Sequence, residues 1–205
     1  IDPGYTSART IARDFIPGGY LEVFQNSGDT DGPFNFYEFD GTNWNATTLI
    51  PLVQHGHSLE AGDFNRDGNL DVFTAEMGNP GAGLNAKMWI GWGDGSGDFA
   101  LELISTGLAN HMSRATDLDG DSDIDLLLKP YSLGSPRVDI FLGDPVVLPL
   151  DKWRTHLLDP LTPWQPFFVA GGDIDNDGRR DLITGGWWYK NPGDLSSAWV
   201  RKTIG

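Results

Sequence analysis

Three nine-residue windows hold the side chains best suited to chemistry. They read Asp63-Phe-Asn-Arg-Asp-Gly-Asn-Leu-Asp71, Asp117-Leu-Asp-Gly-Asp-Ser-Asp-Ile-Asp125 and Asp173-Ile-Asp-Asn-Asp-Gly-Arg-Arg-Asp181. Each carries an acid or amide at positions 1, 3, 5 and 9. A hard cation such as Ca²⁺ takes about six to eight oxygens in a flexible cage, and alternate side chains of a turn can face one centre. Position 7 adds a backbone carbonyl and position 9 closes the cage. The candidate ligands are therefore Asp63, Asn65, Asp67, Asn69 and Asp71; Asp117, Asp119, Asp121, Asp123 and Asp125; and Asp173, Asp175, Asp177, Arg179 and Asp181, with Asn69, Asp123 and Arg179 acting through their carbonyls. The expectation is three Ca²⁺ sites. Mg²⁺ fits less well, since it demands octahedral geometry and retains water. The competing reading is three Asp-rich turns closed by side-chain-to-backbone hydrogen bonds; three such loops in register favour metal.

Gly68 and Gly178 at position 6 suit a backbone of positive φ, whereas Ser122 in the second loop implies mild strain or a different turn. The spacing matches the start of an EF-hand loop, but the twelfth-position Glu and the flanking helices are missing.

The loops belong to a repeat, being offset by 54 and 56 residues. A step of 49 residues back from Asp63 lands on Asp14-Phe-Ile-Pro-Gly-Gly-Tyr-Leu-Glu22, the same frame with Ile16 and Gly18 at positions 3 and 5. This decayed copy is expected to be metal-free. Each copy runs on into a short apolar segment (Leu21–Phe24, Val72–Ala75, Leu126–Leu128, Leu182–Thr184). A second strand-like segment follows (Phe34–Phe39, Met88–Trp92, Val138–Leu142, Trp187–Tyr189), then a turn rich in Gly, Asp, Asn and Pro. An aromatic with a mixed strand closes the unit (Trp44–Ile50, Phe99–Ile104, Trp153–Leu158, Trp199–Ile204). No stretch shows a sustained helical period with caps. The fold class is therefore all-β, and a four-stranded unit of about 50 residues matches a propeller blade. Four blades are expected, over residues 1–52, 53–106, 107–160 and 161–205, either as a closed four-blade ring or as part of a seven- or eight-bladed one.

Composition limits the function classes. Among 205 residues, Lys+Arg number 14 and Asp+Glu 29, giving a net charge of −15. Nucleic acid and anionic membrane surfaces are poor partners for such a chain. Twelve of the 29 acids fall in the three windows, where they repel one another unless a cation sits among them. With no Cys, disulfides, thiol catalysis and thiolate zinc sites are excluded. No apolar run reaches transmembrane length, so membrane insertion is not expected, and no signal peptide is read. Opening on Ile1, the sequence reads as a processed product or an excerpt.

The pattern Asp-x-Asp/Asn-x-Asp-Gly-x-x-Asp-apolar resembles the FG-GAP/VCBS repeat family. Trp92-Gly-Asp-Gly-Ser-Gly-Asp-Phe99 is similar to its Gly-Asp-Gly turn before an aromatic, and Trp188-Tyr189-Lys190-Asn191-Pro192 to a turn of many bacterial members. The resemblance spans the chain at repeat level. It implies an extracellular or surface-exposed calcium-binding β-propeller, with calcium pinning the turns of each blade rather than acting as the functional ligand. The family does not fix an activity.

Ligand contacts are then sought elsewhere. His57 and His111 lie six residues ahead of two loops, with Phe167 in the equivalent third place. They either face a central channel or hydrogen-bond a neighbouring blade. Trp164, Trp187 and Trp188 serve blade packing or, if exposed, stack on sugar rings. His55-Gly-His57 lacks a third zinc ligand, and no Gly-x-Ser-x-Gly is present. Asn45-Ala-Thr47 is a glycosylation sequon if the source is eukaryotic. The leading expectation is a non-catalytic binding or assembly module for a glycan or an extracellular protein. One alternative is a carbohydrate-active enzyme of polysaccharide-lyase type using His57 or His111 with Tyr131. Another is a self-associating subunit of a filament or surface layer. For the metal reading, Asp121→Ala is expected to lower the melting temperature by several degrees in calcium and to change little in excess chelator. Equal losses in both conditions would remove Asp121 from the ligand set.

Overall fold

A computed structural model describes residues 9–78, 81–130, 137–143, 154–160, 169–194 and 196–204. Tyr131, Trp153, Trp164 and Phe167 lie outside these residues. The described chain is built from strands, with one short 3₁₀ turn at Gly83–Asn85. Sixteen strands form four antiparallel sheets, each a simple meander of four. The first sheet holds β1 (Arg9–Arg13), β2 (Glu22–Asn26), β3 (Asp31–Phe39) and β4 (Trp44–Gln54). The second holds β5 (Gly56–Gly62), β6 (Asp71–Glu76), β7 (Lys87–Gly93) and β8 (Phe99–Thr106). The third holds β9 (Met112–Thr116), β10 (Asp125–Lys129), β11 (Val138–Leu142) and β12 (Arg154–Asp159), and the fourth β13 (Ala170–Gly172), β14 (Asp181–Thr184), β15 (Trp187–Lys190) and β16 (Val200–Thr203). In every sheet the nine-residue loop joins the first strand to the second, and the acid at position 9 opens the second strand.

The chain divides into two compact units, Ile1–His111 and Met112–Gly205. In the first unit an aromatic cluster forms the core: Phe15, Phe24, Phe34 and Phe36 are buried, with Phe99 of the second sheet packed against them. Phe24 is fully buried, and its ring centroid lies 4.9 Å from those of Phe15, Phe36 and Phe99 and 5.1 Å from that of Phe34. Phe15 and Phe99 meet Phe24 edge-on and Phe34 stacks on it, contacts that add to the burial of the rings. The second unit packs Leu118, Leu127, Ile140, Val169, Leu182, Tyr189 and Trp199 together.

The second strand is covered on both faces in the first three sheets. All five residues of β2 and of β10 and all six of β6 are buried. Polar groups there need internal partners. Asn26 donates to the Ser58 carbonyl and to Thr74 Oγ1, both at 3.2 Å. Glu76 accepts the Gln54 and Lys87 backbone N–H groups at 3.0 Å. These bonds hold β2 and β6 at their far ends, away from the nine-residue loop. Phe24→Ala is expected to destabilise the first unit by about 3–5 kcal/mol, read as a shift of the midpoint in urea denaturation. A loss under 1 kcal/mol would mean that the ring cluster is not the core of that unit.

Candidate metal centre

The three loops share one backbone course. Positions 4 and 6 are left-handed in each: Arg66 and Gly68 (φ 60° and 92°), Gly120 and Ser122 (83° and 74°), Asn176 and Gly178 (59° and 85°). Ser122 thus adopts the same turn as the glycines and bears its steric cost. The decayed loop differs for a covalent reason. Pro17 occupies its position 4, and the proline ring holds φ negative. Positive φ moves instead to Gly18 and Gly19.

Side-chain oxygens wrap the backbone inside each loop. Asp63 accepts the Asp67 and Gly68 N–H groups (3.1 and 2.9 Å), and Asp173 accepts those of Asp177 and Gly178 (3.0 and 2.9 Å). Asp117 accepts those of Gly120 and Ser122 (2.7 and 3.1 Å). At position 5, Asp67, Asp121 and Asp177 accept the position-7 N–H at 2.8, 2.8 and 3.0 Å. These are the bonds of an Asp-rich turn, yet the Asp63, Asp117 and Asp173 oxygens each accept only one of them, which leaves a further lone pair on each. Among the described residues two acidic groups converge, Asp117 with Asp119 and Asp125, and Asp173 with Asp175 and Asp177, their ligand oxygens all within 4.8 Å of one another. The donor set is all oxygen, as Ca²⁺ requires. In the loop at 63–71, Asn65 donates to Asp67 Oδ2 at 2.9 Å, so one position-3 ligand is a neutral amide.

Position 9 does more than the sequence suggests. Asp71, Asp125 and Asp181 are completely buried. One oxygen of each accepts the position-2 N–H: Phe64 to Asp71 at 2.8 Å, Leu118 to Asp125 at 2.7 Å, Ile174 to Asp181 at 3.2 Å. The other accepts an N–H at or just past the end of the third strand: Gly93 at 2.9 Å, and Gly143 and Asn191 at 2.8 Å. Glu22 in the decayed copy takes the Phe15 and Ile16 N–H groups at 2.8 and 3.0 Å. Position 9 is thus a structural latch that ties the loop to the second strand in all four sheets, and in the three aspartate copies to the third strand as well, independent of any ligand role.

Burial pushes the Asp71 carboxyl up to about 7; the Gly93 and Phe64 N–H groups oppose the shift, and Asp67 and Asp63 add to it. Asp125 rises to about 7 for the same reason, burial first, with Asp119 and Asp121 adding to it. The Asp119 carboxyl is also raised, by burial and then by its neighbour Asp121. A dication among these groups would favour their ionised forms.

The other sequence candidates sit apart from the loops. His57 is buried on β5. Its Nε2 meets Asp29 in the connection after β2, and Arg9 Nη2 of β1 approaches its Nδ1 at 3.4 Å. Both partners belong to the first sheet, so His57 makes the neighbouring-sheet contact. Burial lowers its pKa, with Asp29 opposing, and the neutral ring with Nε2–H donating to Asp29 fits both contacts. The His111 ring stacks on that of His57, with centroids 4.6 Å apart and planes at 24°. Trp187 packs partly into the core of the second unit. Lys202 Nζ lies 4.4 Å above the Trp188 ring, which occupies the face that a sugar would need. Asn45 is exposed on β4.

Two features were not read from the sequence. Lys190 reaches the loop at 173–181, bonding Asp175 and, at 2.7 Å, Asp177. A cleft of about 780 Å³ opens in the second unit beside the loop at 117–125, lined by Asp119, Asp121, Thr155, His156, Asp194 and Ser196 among others. Its residues come from four separate segments, which only the fold brings together. No protein-family model matches the chain, and no curated protein matches it in sequence. No helix among the described residues is long and apolar enough to cross a membrane.

The raised carboxyls set a sign for pH dependence. Between the ordinary Asp value of 3.8 and about 7, folded Asp71 and Asp125 hold protons that the unfolded chain releases. Stability in chelator should therefore fall as pH rises through that window. Calcium needs the ionised acids, so the gap between melting temperatures with calcium and with chelator should widen from pH 5 to pH 8. A gap independent of pH would contradict this.

Proposed function

We propose that the chain is a calcium-binding segment of a β-propeller, acting outside the cell as a non-catalytic binding or assembly module whose ligand is a glycan. The observation that carries this reading is the triple recurrence of one loop geometry. Three copies share left-handed positions 4 and 6, side-chain oxygens at 1, 3 and 5, and a buried acid at 9. Turn formation alone requires no such alternation of oxygens. In this reading Asp117, Asp119, Asp121, the Asp123 carbonyl and Asp125 would hold one ion. Asp63, Asn65, Asp67, the Asn69 carbonyl and Asp71 would hold a second, and Asp173, Asp175, Asp177, the Arg179 carbonyl and Asp181 a third.

The propeller arrangement is supported inside each unit. β1 lies beside β5 in the first, and β13 beside β9 in the second, so the leading strands of successive sheets are neighbours. Successive blades around an axis pack in this way. The extracellular assignment follows from chemistry. Position-1, -3 and -5 acids that are largely open to water make weak sites of the kind filled at about 10⁻⁴–10⁻³ M calcium. The cleft beside the second loop supplies the ligand surface. Carboxylates, two hydroxyls and the His156 imidazole surround it, matching the many hydroxyls of a sugar. The non-catalytic reading draws on His57, whose contacts with Asp29 and Arg9 suit a structural role.

Metal analysis after equilibrium dialysis in millimolar calcium should find more than one ion per chain, with a rise in melting temperature that chelator reverses. On a glycan panel, His156→Ala should weaken the bound glycan about tenfold, roughly 1.4 kcal/mol, and leave calcium uptake unchanged. Absence of calcium uptake at 10 mM would overturn the metal reading. Unsaturated sugar products from an acidic polysaccharide would overturn the non-catalytic one.

A further inference from the structure

In the fourth sheet a side-chain cation already sits on the loop carboxylates. Lys190 Nζ donates to Asp175 and to Asp177 Oδ2 at 2.7 Å, and Arg179 Nη2 donates to the same Asp177 oxygen at 2.7 Å. Asp175 and Asp177 are two of the three acids whose oxygens converge with Asp173. Strand register places this lysine at the loop. The residue after the strand position that pairs with loop position 10 points its side chain toward the loop in the fourth sheet. Val23 pairs with Tyr37, Val72 with Gly91, Leu126 with Phe141 and Leu182 with Tyr189. The next residues are Glu38, Trp92, Leu142 and Lys190. One of these four carries a positive charge.

We infer that Lys190 is a tethered counter-ion that competes with a divalent cation for the loop at 173–181, making this calcium loop weaker than the one at 63–71 and able to keep its shape without metal. The inference rests on the calcium reading proposed above. An ammonium and Ca²⁺ repel each other and need the same Asp175 and Asp177 oxygens. The lysine is held close by β15 and so acts at a high effective concentration. Its flexible four-carbon stem lets it swing away when a dication binds. If the ammonium occupies the acids about nine-tenths of the time, apparent calcium affinity drops about tenfold. The loop at 63–71 offers a contrast, since the bonds to its Asp63 and Asp67 carboxylates come from its own backbone and from the Asn65 amide. The result is a graded response: the loop at 63–71 loads before the one in the fourth sheet, which loads only when calcium is abundant.

Calorimetric titration of calcium into the full chain and into Lys190→Met tests this. Methionine keeps the length of the stem without the charge. One site should tighten by about tenfold or more while the others hold their affinities, and Lys190→Arg should stay like the parent. Adding Asp175→Asn to Lys190→Met should abolish the tightened site, which assigns it to this loop. In chelator, Lys190→Met should melt below the parent, because the loop acids lose their counter-ion. Lys190→Gln serves as a second neutral variant if the methionine form does not fold. Unchanged affinities in the neutral variants, with calcium still bound, overturn the inference and leave the calcium reading intact. No calcium bound by any variant or by the parent overturns both.

Discussion

A buried carboxylate at the head of each second strand governs this architecture. Glu22, Asp71, Asp125 and Asp181 lie where the nine-residue loop meets the sheet. The three aspartates each accept one N–H from the loop and one at or just past the end of the third strand. An acid excluded from water is costly unless its lone pairs are used. Here two backbone donors, themselves in need of acceptors, use them. The bond joins residues 7 apart in one direction and 10 to 22 apart in the other, so it closes the turn and aligns the strand pair together.

This arrangement separates two roles that the linear motif merges. Position 9 belongs to the fold even where the rest of the loop has lost its acids, as Glu22 illustrates. Positions 1, 3 and 5 face solvent more openly and are free to vary in charge. Their occupants grade from three acidic side chains at 117–121 through the mixed amide and acid set at 63–67 to the lysine-bridged set at 173–177. A common frame can therefore carry loops of quite different electrostatic character.

The all-β class and the four-stranded units were legible because short apolar segments recur at a fixed spacing and the repeat breaks at Gly, Asn and Asp. Both are local signals. The left-handed position 6 was readable from Gly68 and Gly178, but position 4 was not: Arg66 and Asn176 carry no glycine signature, and the strain at Ser122 reads as ambiguity. The latch was visible only as a recurring acid, since its partners Gly93 and Gly143 announce themselves through pairing register alone. Lys190 and the cleft at Thr155, His156 and Ser196 escaped for the same reason. Contacts across strand pairs depend on which residue faces which, and a one-residue slip would send each side chain to the opposite face. The Asp29–His57 contact, spanning 28 residues, is of this kind.

Pro17 gives the first repeat a history that runs one way. The ring forbids the left-handed residue that the other three loops place at position 4, and the positive φ values have moved to Gly18 and Gly19. Ile16, meanwhile, has turned its side chain toward the aromatic core. Acids restored at positions 3 and 5 would therefore hang on a backbone of the wrong course, and the one at position 3 would also take an apolar anchor away from the first unit. Reversal needs several simultaneous changes, none of them useful alone, so that copy is committed to packing while its siblings stay free to drift in charge.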